Sequence, residues 1–249
     1  MEAYANTLFA WTGISIIAFI ALIFKSAPYG RHFIPSLRSS MPSRLGWILM
    51  ESPTVSLMLL FIIFFSDSLG IVEMTFALIW MVHYIHRGFI WPLRAKLKGK
   101  RMSLVVVLLG SIFNLVNVYI QGSWIFIYGS YEKEWLLSPF FIVGLLVFLI
   151  GLYINIKSDN ILMELRKEHG SGYHIPNGFL YNKVSCPNYF GEILEWLGWF
   201  IMTLSPAGLV FLIWTMANLI PRAKSNHEWS IENIEGYPKD RKKVIPYLY

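Results

Sequence analysis

LLSPFFIVGLLVFLIGLYINI, residues 136–156, runs for 21 residues without a charged side chain. About 20 apolar residues in helical form cross the hydrocarbon core of a bilayer, so this stretch reads as a membrane-spanning helix and decides the fold class. Its polar end, Asn155, is followed at once by Lys157, Ser158 and Asp159, where a polar stripe leaves the bilayer. Outward from it, comparable apolar runs lie near 6–24, 47–65, 71–92, 103–128, 189–203 and 205–221. The last two are short and joined tightly at Ser205-Pro206. The expectation is an all-α integral membrane bundle of seven transmembrane helices, forming a single membrane-embedded domain over residues 1–249.

Composition agrees. Of 249 residues 55% are hydrophobic and only 14% charged, with a mean hydropathy of +0.52. Soluble domains carry about a quarter charged residues. No G-x-G-x-x-G occurs and no loop is long enough for a dinucleotide-binding domain, so any cofactor must sit among helices and short loops. The single cysteine, Cys186, makes neither an internal disulfide nor a structural zinc site.

Basic residues set the orientation, because they accumulate on the cytoplasmic side. Lys25, Arg31, Arg38 and Arg44 follow the first run, and Arg94, Lys96, Lys98, Lys100 and Arg101 follow the third. Lys157, Arg166, Lys167 and Lys183 follow the fifth; Arg222, Lys224, Lys239, Arg241, Lys242 and Lys243 fill the tail. These are 19 of the 21 Lys and Arg residues. The N-terminus is therefore expected outside or lumenal and the C-terminus cytoplasmic. The first run lacks a basic leader and a small-residue cleavage site, so it reads as a retained helix. The net charge of +6 follows from topology and contact with anionic lipid, and implies no nucleic acid.

Charged groups inside spans cost at least about 2.5–3.5 kcal/mol each and call for a partner, a cavity or a function. His83, Tyr84, His86 and Arg87 fall within about 160° of one helix face. Glu51 precedes Pro53, whose ring loosens the second span. Asn155, Asp159 and Arg166 share one stripe; Asn188, Glu192 and Glu195 share another. The loop from Glu168 to Pro187 is the longest and reads as a lid candidate. Taken singly, each group has a plain structural reading: interhelical hydrogen bonds for the histidines, or Glu192 and Glu195 paired with Arg87 or Lys157. His-x-x-His without a third ligand is no metal site, and none is expected. Together the groups lie in the cytoplasmic halves of their spans. They predict a cavity open to the cytoplasm, basic at its rim and apolar deeper, suited to an anionic soluble cofactor and a lipid-soluble substrate.

Tyr29-Gly30-Arg31-His32, Glu51-Ser-Pro53, His83-Tyr84-Ile85-His86-Arg87, Asn155-Ile-Lys-Ser-Asp159, Leu165-Arg166-Lys167, Tyr173-His174-Ile-Pro176, Asn188-Tyr-Phe-Gly-Glu192-Ile-Leu-Glu195-Trp196 and Glu235-Gly-Tyr237-Pro-Lys-Asp-Arg241-Lys242 together carry a family pattern. In order and spacing it resembles the steroid 5α-reductases, most closely their type 2 form. The resemblance implies an NADPH-dependent oxidoreductase acting on CH–CH bonds: a 3-oxo-5α-steroid 4-dehydrogenase that reduces the Δ4 double bond of 3-oxo-Δ4-steroids. Hydride passes to C5 and a proton to C4. Negative charge then grows on the ketone oxygen, where preplaced donors are needed. Glu51 and Tyr84 match the family's pair for that task, and Glu51, Tyr84 and Trp47 fall to the substrate. Tyr84 donates a hydroxyl, and a Glu51 kept neutral by apolar surroundings donates beside it, by analogy with the oxyanion hole that ketosteroid isomerase builds on another fold. Asn155, Asp159, Arg166, Tyr173, His174, Asn188, Glu192 and Arg222 match NADPH positions, with Arg87 and Lys100 as further phosphate candidates. His174, Leu109 and Asn226 depart from the type 2 pattern, which has arginine, arginine and histidine there.

The expected partners are a lipophilic, steroid-like substrate entering from the membrane and the bilayer itself, with no obligate protein partner. The membrane is the endoplasmic reticulum or a bacterial inner membrane, with the active site facing the cytoplasm. Rival readings are another enone or enoyl reductase, such as a trans-2-enoyl-CoA reductase, a membrane methyltransferase using S-adenosylmethionine, and a transporter. The first needs a second basic docking surface, the second has no use for Glu51 beside Tyr84, and no inverted repeat supports the third.

Overall fold

The computed structural model describes residues 1–25, 30–32, 39–170 and 172–249; Tyr29 and Arg38 lie outside the described residues. The chain is mainly helical: α1 Glu2–Phe24, α2 Ser43–Phe64, α3 Ile71–Ile85, α4 Trp91–Arg94, α5 Leu104–Ser123, α6 Pro139–His169, α7 Pro187–Thr203 and α8 Pro206–Asn233. A two-stranded antiparallel ribbon, β1 Ser40–Pro42 and β2 Arg101–Ser103, pairs Met41 with Met102. Among the described residues four helices are long and apolar enough to cross a membrane: α1, α2, α6, and α5 with its continuation to Tyr128. Their outer faces leave large apolar side chains bare, Phe9 at 78% and Phe64 at 78%. Water would penalise such faces and lipid does not, as expected of an integral membrane protein. The other three predicted positions are also helical, in α3, α7 and α8.

Two helices outrun their apolar stretches. α6 continues from 156 to His169, and α8 passes through Pro221 to Asn233. An apolar run measures what lipid can accept, whereas a helix continues wherever its backbone bonds and packing allow. Beyond Pro221, α8 buries Ala223, Asn226, His227 and Ser230. That polar but buried face has no apolar period to announce it.

The chain divides into two compact units. In the first (Met1–Leu8 and Pro28–Phe141), only residues 65–70 separate α2 from α3, which makes them antiparallel neighbours. Pro53 cannot bond the Leu49 carbonyl, and the Ser52 hydroxyl donates to that carbonyl at 3.2 Å instead. Gly110 and Gly122 admit the Met50 and Phe61 side chains of α2 onto the α5 backbone. After α3 the helix widens to a π-turn over His86–Ile90 before α4. Arg44 caps that end, donating from Nε to the Pro92 carbonyl at 3.0 Å.

In the second unit (Phe9–Ala27 and Ile142–Tyr249), α6 and α7 pack backbone to backbone through two glycine pairs. Gly144 and Gly151 on α6 are two turns apart, as are Gly191 and Gly198 on α7. A Cβ on Gly151 would overlap the Glu195 amide and the Gly191 carbonyl; one on Gly198 would overlap the backbone of Phe148 and the Gly144 carbonyl. Within lipid, helix association depends on such close packing because apolar side chains gain nothing by leaving lipid tails. α7 closes on Leu204 in the left-handed region (φ 40°), and α8 begins at once, the Ser205 hydroxyl accepting the Gly208 amide at 2.8 Å.

Candidate active site

The first group of predicted residues meets at the α2–α3 junction. Trp80 donates its indole N–H to the Thr54 carbonyl at 3.3 Å, and the Thr54 hydroxyl donates to the Glu51 carbonyl at 2.6 Å. Because the helices are antiparallel, one turn back from Thr54 and one turn on from Trp80 reach the same level. Glu51 and Tyr84 stand there, 8% and 3% exposed. Tyr84 packs on Trp80 (centroids 4.6 Å) and edge-on to His83 (4.9 Å). One turn beyond Tyr84, a Cβ on Gly88 would come within 3.0 Å of the Glu51 Cβ, so this face of α3 and its π-turn lies directly against Glu51.

Trp47 and Arg87 lie beside this pair and engage each other. The Trp47 indole donates to the Arg87 carbonyl at 3.0 Å, and the guanidinium rides over the rings of Trp47 and Trp91 at 4.7 and 5.3 Å. Arg87 is thus a cation stacked on two indoles. Lys100 sits in the turn before β2, its carbonyl accepting the Ser43 amide.

A second group assembles across α6 and α7, brought together by the glycine contacts. Asn155 donates to the Asn188 carbonyl at 3.1 Å and to Glu192 Oε2 at 3.4 Å, while Asn188 donates to Asp159 Oδ1 at 3.0 Å. One turn of α8 joins it: Arg222 Nε and Asn226 Nδ2 both donate to the Tyr189 hydroxyl, at 3.0 and 3.2 Å. Tyr173 lies edge-on to Trp229 (4.8 Å), and His174 near His169 (5.1 Å). The buried Tyr181 hydroxyl donates to the Ser158 carbonyl at 3.3 Å; its burial, then the charge of Asp159, push this phenol up, with Arg166 opposing. Lys157 takes no part in this network; it donates to the Tyr153 hydroxyl at 2.9 Å and sits over Phe179. Glu195 is fully buried against the Gly151 contact, apart in exposure from the half-buried Glu192 on the same face.

Residues 183–186 of the long loop are strapped to the C-terminal tail. Ser185 N–H bonds the Lys242 carbonyl, Cys186 N–H the Lys243 carbonyl, and Lys242 N–H the Lys183 carbonyl, at 2.8, 3.1 and 2.9 Å. Arg241 Nη2 donates to Asn177 Oδ1 at 3.1 Å. The Nη1 atom of Arg241 and the Nε2 atom of His174 are buried without hydrogen-bond partners.

The first unit holds a buried carboxyl and phenol and the second a network of amide, carboxyl and cationic groups, and comparison with known proteins identifies the family. A family model described as 3-oxo-5-alpha-steroid 4-dehydrogenase matches residues 100–249. The chain is 42% identical over 245 residues to "Steroid 5-alpha-reductase DET2" of Gossypium hirsutum, covering 95% of this chain and 93% of the relative. The chain belongs to the steroid 5α-reductase family. The DET2 protein of Arabidopsis thaliana is likewise 42% identical over 237 residues (92% and 90%), and "3-oxo-5-alpha-steroid 4-dehydrogenase 1" of Homo sapiens 37% over 225 residues (89% and 86%). As a steroid 5α-reductase family member it is an oxidoreductase acting on CH–CH bonds.

Three residues of this family member escaped sequence reading. Asn114 of α5 donates to Glu51 Oε2 at 3.1 Å; Tyr189 links the α7 and α8 parts of the second group; Arg241 ties the tail to the loop. Asn114 carried one available signal, an uncharged polar residue within an apolar span. Tyr189 and Arg241 stood inside family motifs but matched no functional position.

Proposed function

We propose that this chain reduces the Δ4 double bond of 3-oxo-Δ4-steroids to 5α-3-oxosteroids with NADPH. The observation that carries the reading is the level placement of buried Glu51 and Tyr84 across α2 and α3, in a chain whose relatives bear steroid 5α-reductase names. NADPH, when bound, supplies hydride to C5 of the enone. As negative charge moves onto the ketone oxygen, Glu51 and Tyr84 donate hydrogen bonds to it, in a setting where little water screens them. The resulting enolate takes a proton at C4, so enone, NADPH and one proton give the saturated ketone and NADP⁺.

The residues present fit the cofactor. Asn155, Asp159, Asn188 and Glu192 offer the amide and carboxyl groups that carboxamide and ribose hydroxyls require. In the same unit Arg166 and Arg222 offer cations for phosphates, with Tyr173 and His174; Arg87 and Lys100 of the first unit are further phosphate candidates by the family pattern. The buried Nη1 of Arg241 is a donor that an anionic ligand satisfies.

In the same reading the seven helical segments cross the membrane as a single reductase domain, N-terminus outside and C-terminus cytoplasmic. The membrane is the endoplasmic reticulum or a bacterial inner membrane. The asymmetry of Lys and Arg supports that orientation. The steroid-like substrate enters from the bilayer and the site faces the cytoplasm, without an obligate protein partner. The likeness to the type 2 form rests on the sequence motifs.

The test is NADPH consumption by the detergent-purified full chain given testosterone or progesterone, with product mass and ring-junction stereochemistry determined. Stoichiometric 5α-dihydro product is expected. Tight NADPH binding without reduction moves the reading to another enone, and absence of NADPH binding overturns it.

A further inference from the structure

We infer that Asn114 is a positioning residue that fixes the acid proton of Glu51 on Oε1 and so makes that carboxyl a hydrogen-bond donor. The inference rests on the proposed role of Glu51. Asn114 is 5% exposed on α5, and its side-chain nitrogen has two partners: the Met50 carbonyl at 2.7 Å and Glu51 Oε2 at 3.1 Å. An amide side chain can present either its oxygen or its NH₂ to a neighbour, and the choice must come from the hydrogen-bond network. Here a backbone carbonyl settles it, because a carbonyl only accepts. The nitrogen must face Met50, and its second hydrogen therefore faces Glu51.

That hydrogen needs an acceptor. In a neutral carboxyl group the bare carbonyl oxygen is the acceptor and the hydroxyl oxygen carries the proton. With Oε2 receiving Asn114, the proton of neutral Glu51 resides on Oε1. The rest of the side chain is held as well, its Cβ against Gly88 and its backbone carbonyl by the Thr54 hydroxyl at 2.6 Å. A carboxyl free to rotate would offer a lone pair or a proton to a ketone oxygen, and the lone pair would repel it. Asn114 removes the repulsive choice. Consecutive residues of α2, Met50 and Glu51, supply the reference acceptor and the group to be oriented, so a single amide reads both.

A residue that merely glued α5 to α2 would affect stability alone. The proposal is tested in the full-length protein with Asn114→Leu, which cannot donate, and with the isosteric Asn114→Asp, which lacks the NH₂ group. Asn117→Leu serves as the control; Asn117 is as buried on the same helix, at 2%, and its side-chain nitrogen donates to no acceptor among the described residues. Two readouts are taken: steady-state kinetics, and the infrared carbonyl stretch of protonated Glu51, assigned by its loss in Glu51→Gln. Both Asn114 variants are expected to lower kcat by about tenfold, with KM for NADPH within about twofold. In Asn114→Leu the Glu51 stretch moves to higher frequency, since its carbonyl loses a donor, and in Asn117→Leu it stays. Unchanged kcat and an unmoved band in Asn114→Leu overturn the inference, as does the absence of any protonated-carboxyl band in the parent protein. Normal turnover in Glu51→Leu, which keeps no donor, instead removes the role of Glu51, a separate failure. Should Asn114→Leu not fold, Asn114→Asp decides through kcat alone.

Discussion

Gly88 lies so close to Glu51 that a methyl group on it would stand 3.0 Å from the Glu51 Cβ. The contact sets how near the α3 face approaches the carboxyl. In Gly88→Ala the Glu51 stem must retreat by a few tenths of an ångström, and donors displaced on that scale lose transition-state contact. The expected result is a fall in kcat of roughly tenfold with NADPH binding retained. Steady-state kinetics check it, and a wild-type kcat would mean that the contact is slack.

Glu51→Leu and Tyr84→Phe each remove a proposed donor to the ketone oxygen. By analogy with the loss of one oxyanion donor, each is expected to depress kcat by roughly 10²–10³ while leaving the NADPH dissociation constant unchanged. Fluorescence titration with NADPH and turnover of the same preparations separate the two effects. Normal turnover in both would remove the pair from the mechanism.

Gly191 bears on the second group of residues. A Cβ there meets the Asn155 amide at 2.5 Å and the Gly151 carbonyl at 2.7 Å, and backbone cannot swing aside as a side chain can. Gly191→Val is expected to destabilise the protein by roughly 1–3 kcal/mol and to weaken NADPH binding, by parting Asn155 from Asn188 and Glu192. The substitution Gly13→Ala, at a glycine with nothing within 4 Å, leaves both properties intact. Thermal melts in detergent, with and without NADPH, read out both.

His227 supplies a pH dependence. The Tyr237 hydroxyl donates to Ser185 Oγ at 2.8 Å, and Ser185 Oγ lies 2.7 Å from Nδ1 of His227, where a neutral imidazole can accept the Ser185 proton. Burial, then Lys243, then Arg241 hold this histidine below its ordinary value of 6.5, with Glu228 opposing. A depressed histidine contributes its stability in full above the unfolded value and loses it as pH falls through that value toward the folded one. Melting temperature is expected to fall between about pH 7.5 and about pH 5.5, and to fall less in His227→Gln. Equal slopes in the two proteins would show that the strap does not depend on this proton.

The apolar runs alone fixed where the main helices lie, because in lipid every backbone polar group must be bonded within its own segment and only a helix achieves this for a single run. Residue identity likewise placed Asn155 with Asp159, and Asn188 with Glu192, on their faces, since an i, i+4 spacing is a property of one helix. Tertiary structure decided everything that spans two helices. The glycines at 144, 151, 191 and 198 looked ordinary in an apolar context, and only packing turned their missing side chains into the contact that joins Asn155 to Asn188. Pro221 looked like a helix end, yet buried neighbours carry α8 past it. Asn114 looked like one polar residue among apolar ones. Its meaning came from two acceptors on a helix more than 60 positions away, a distance at which no local pattern operates.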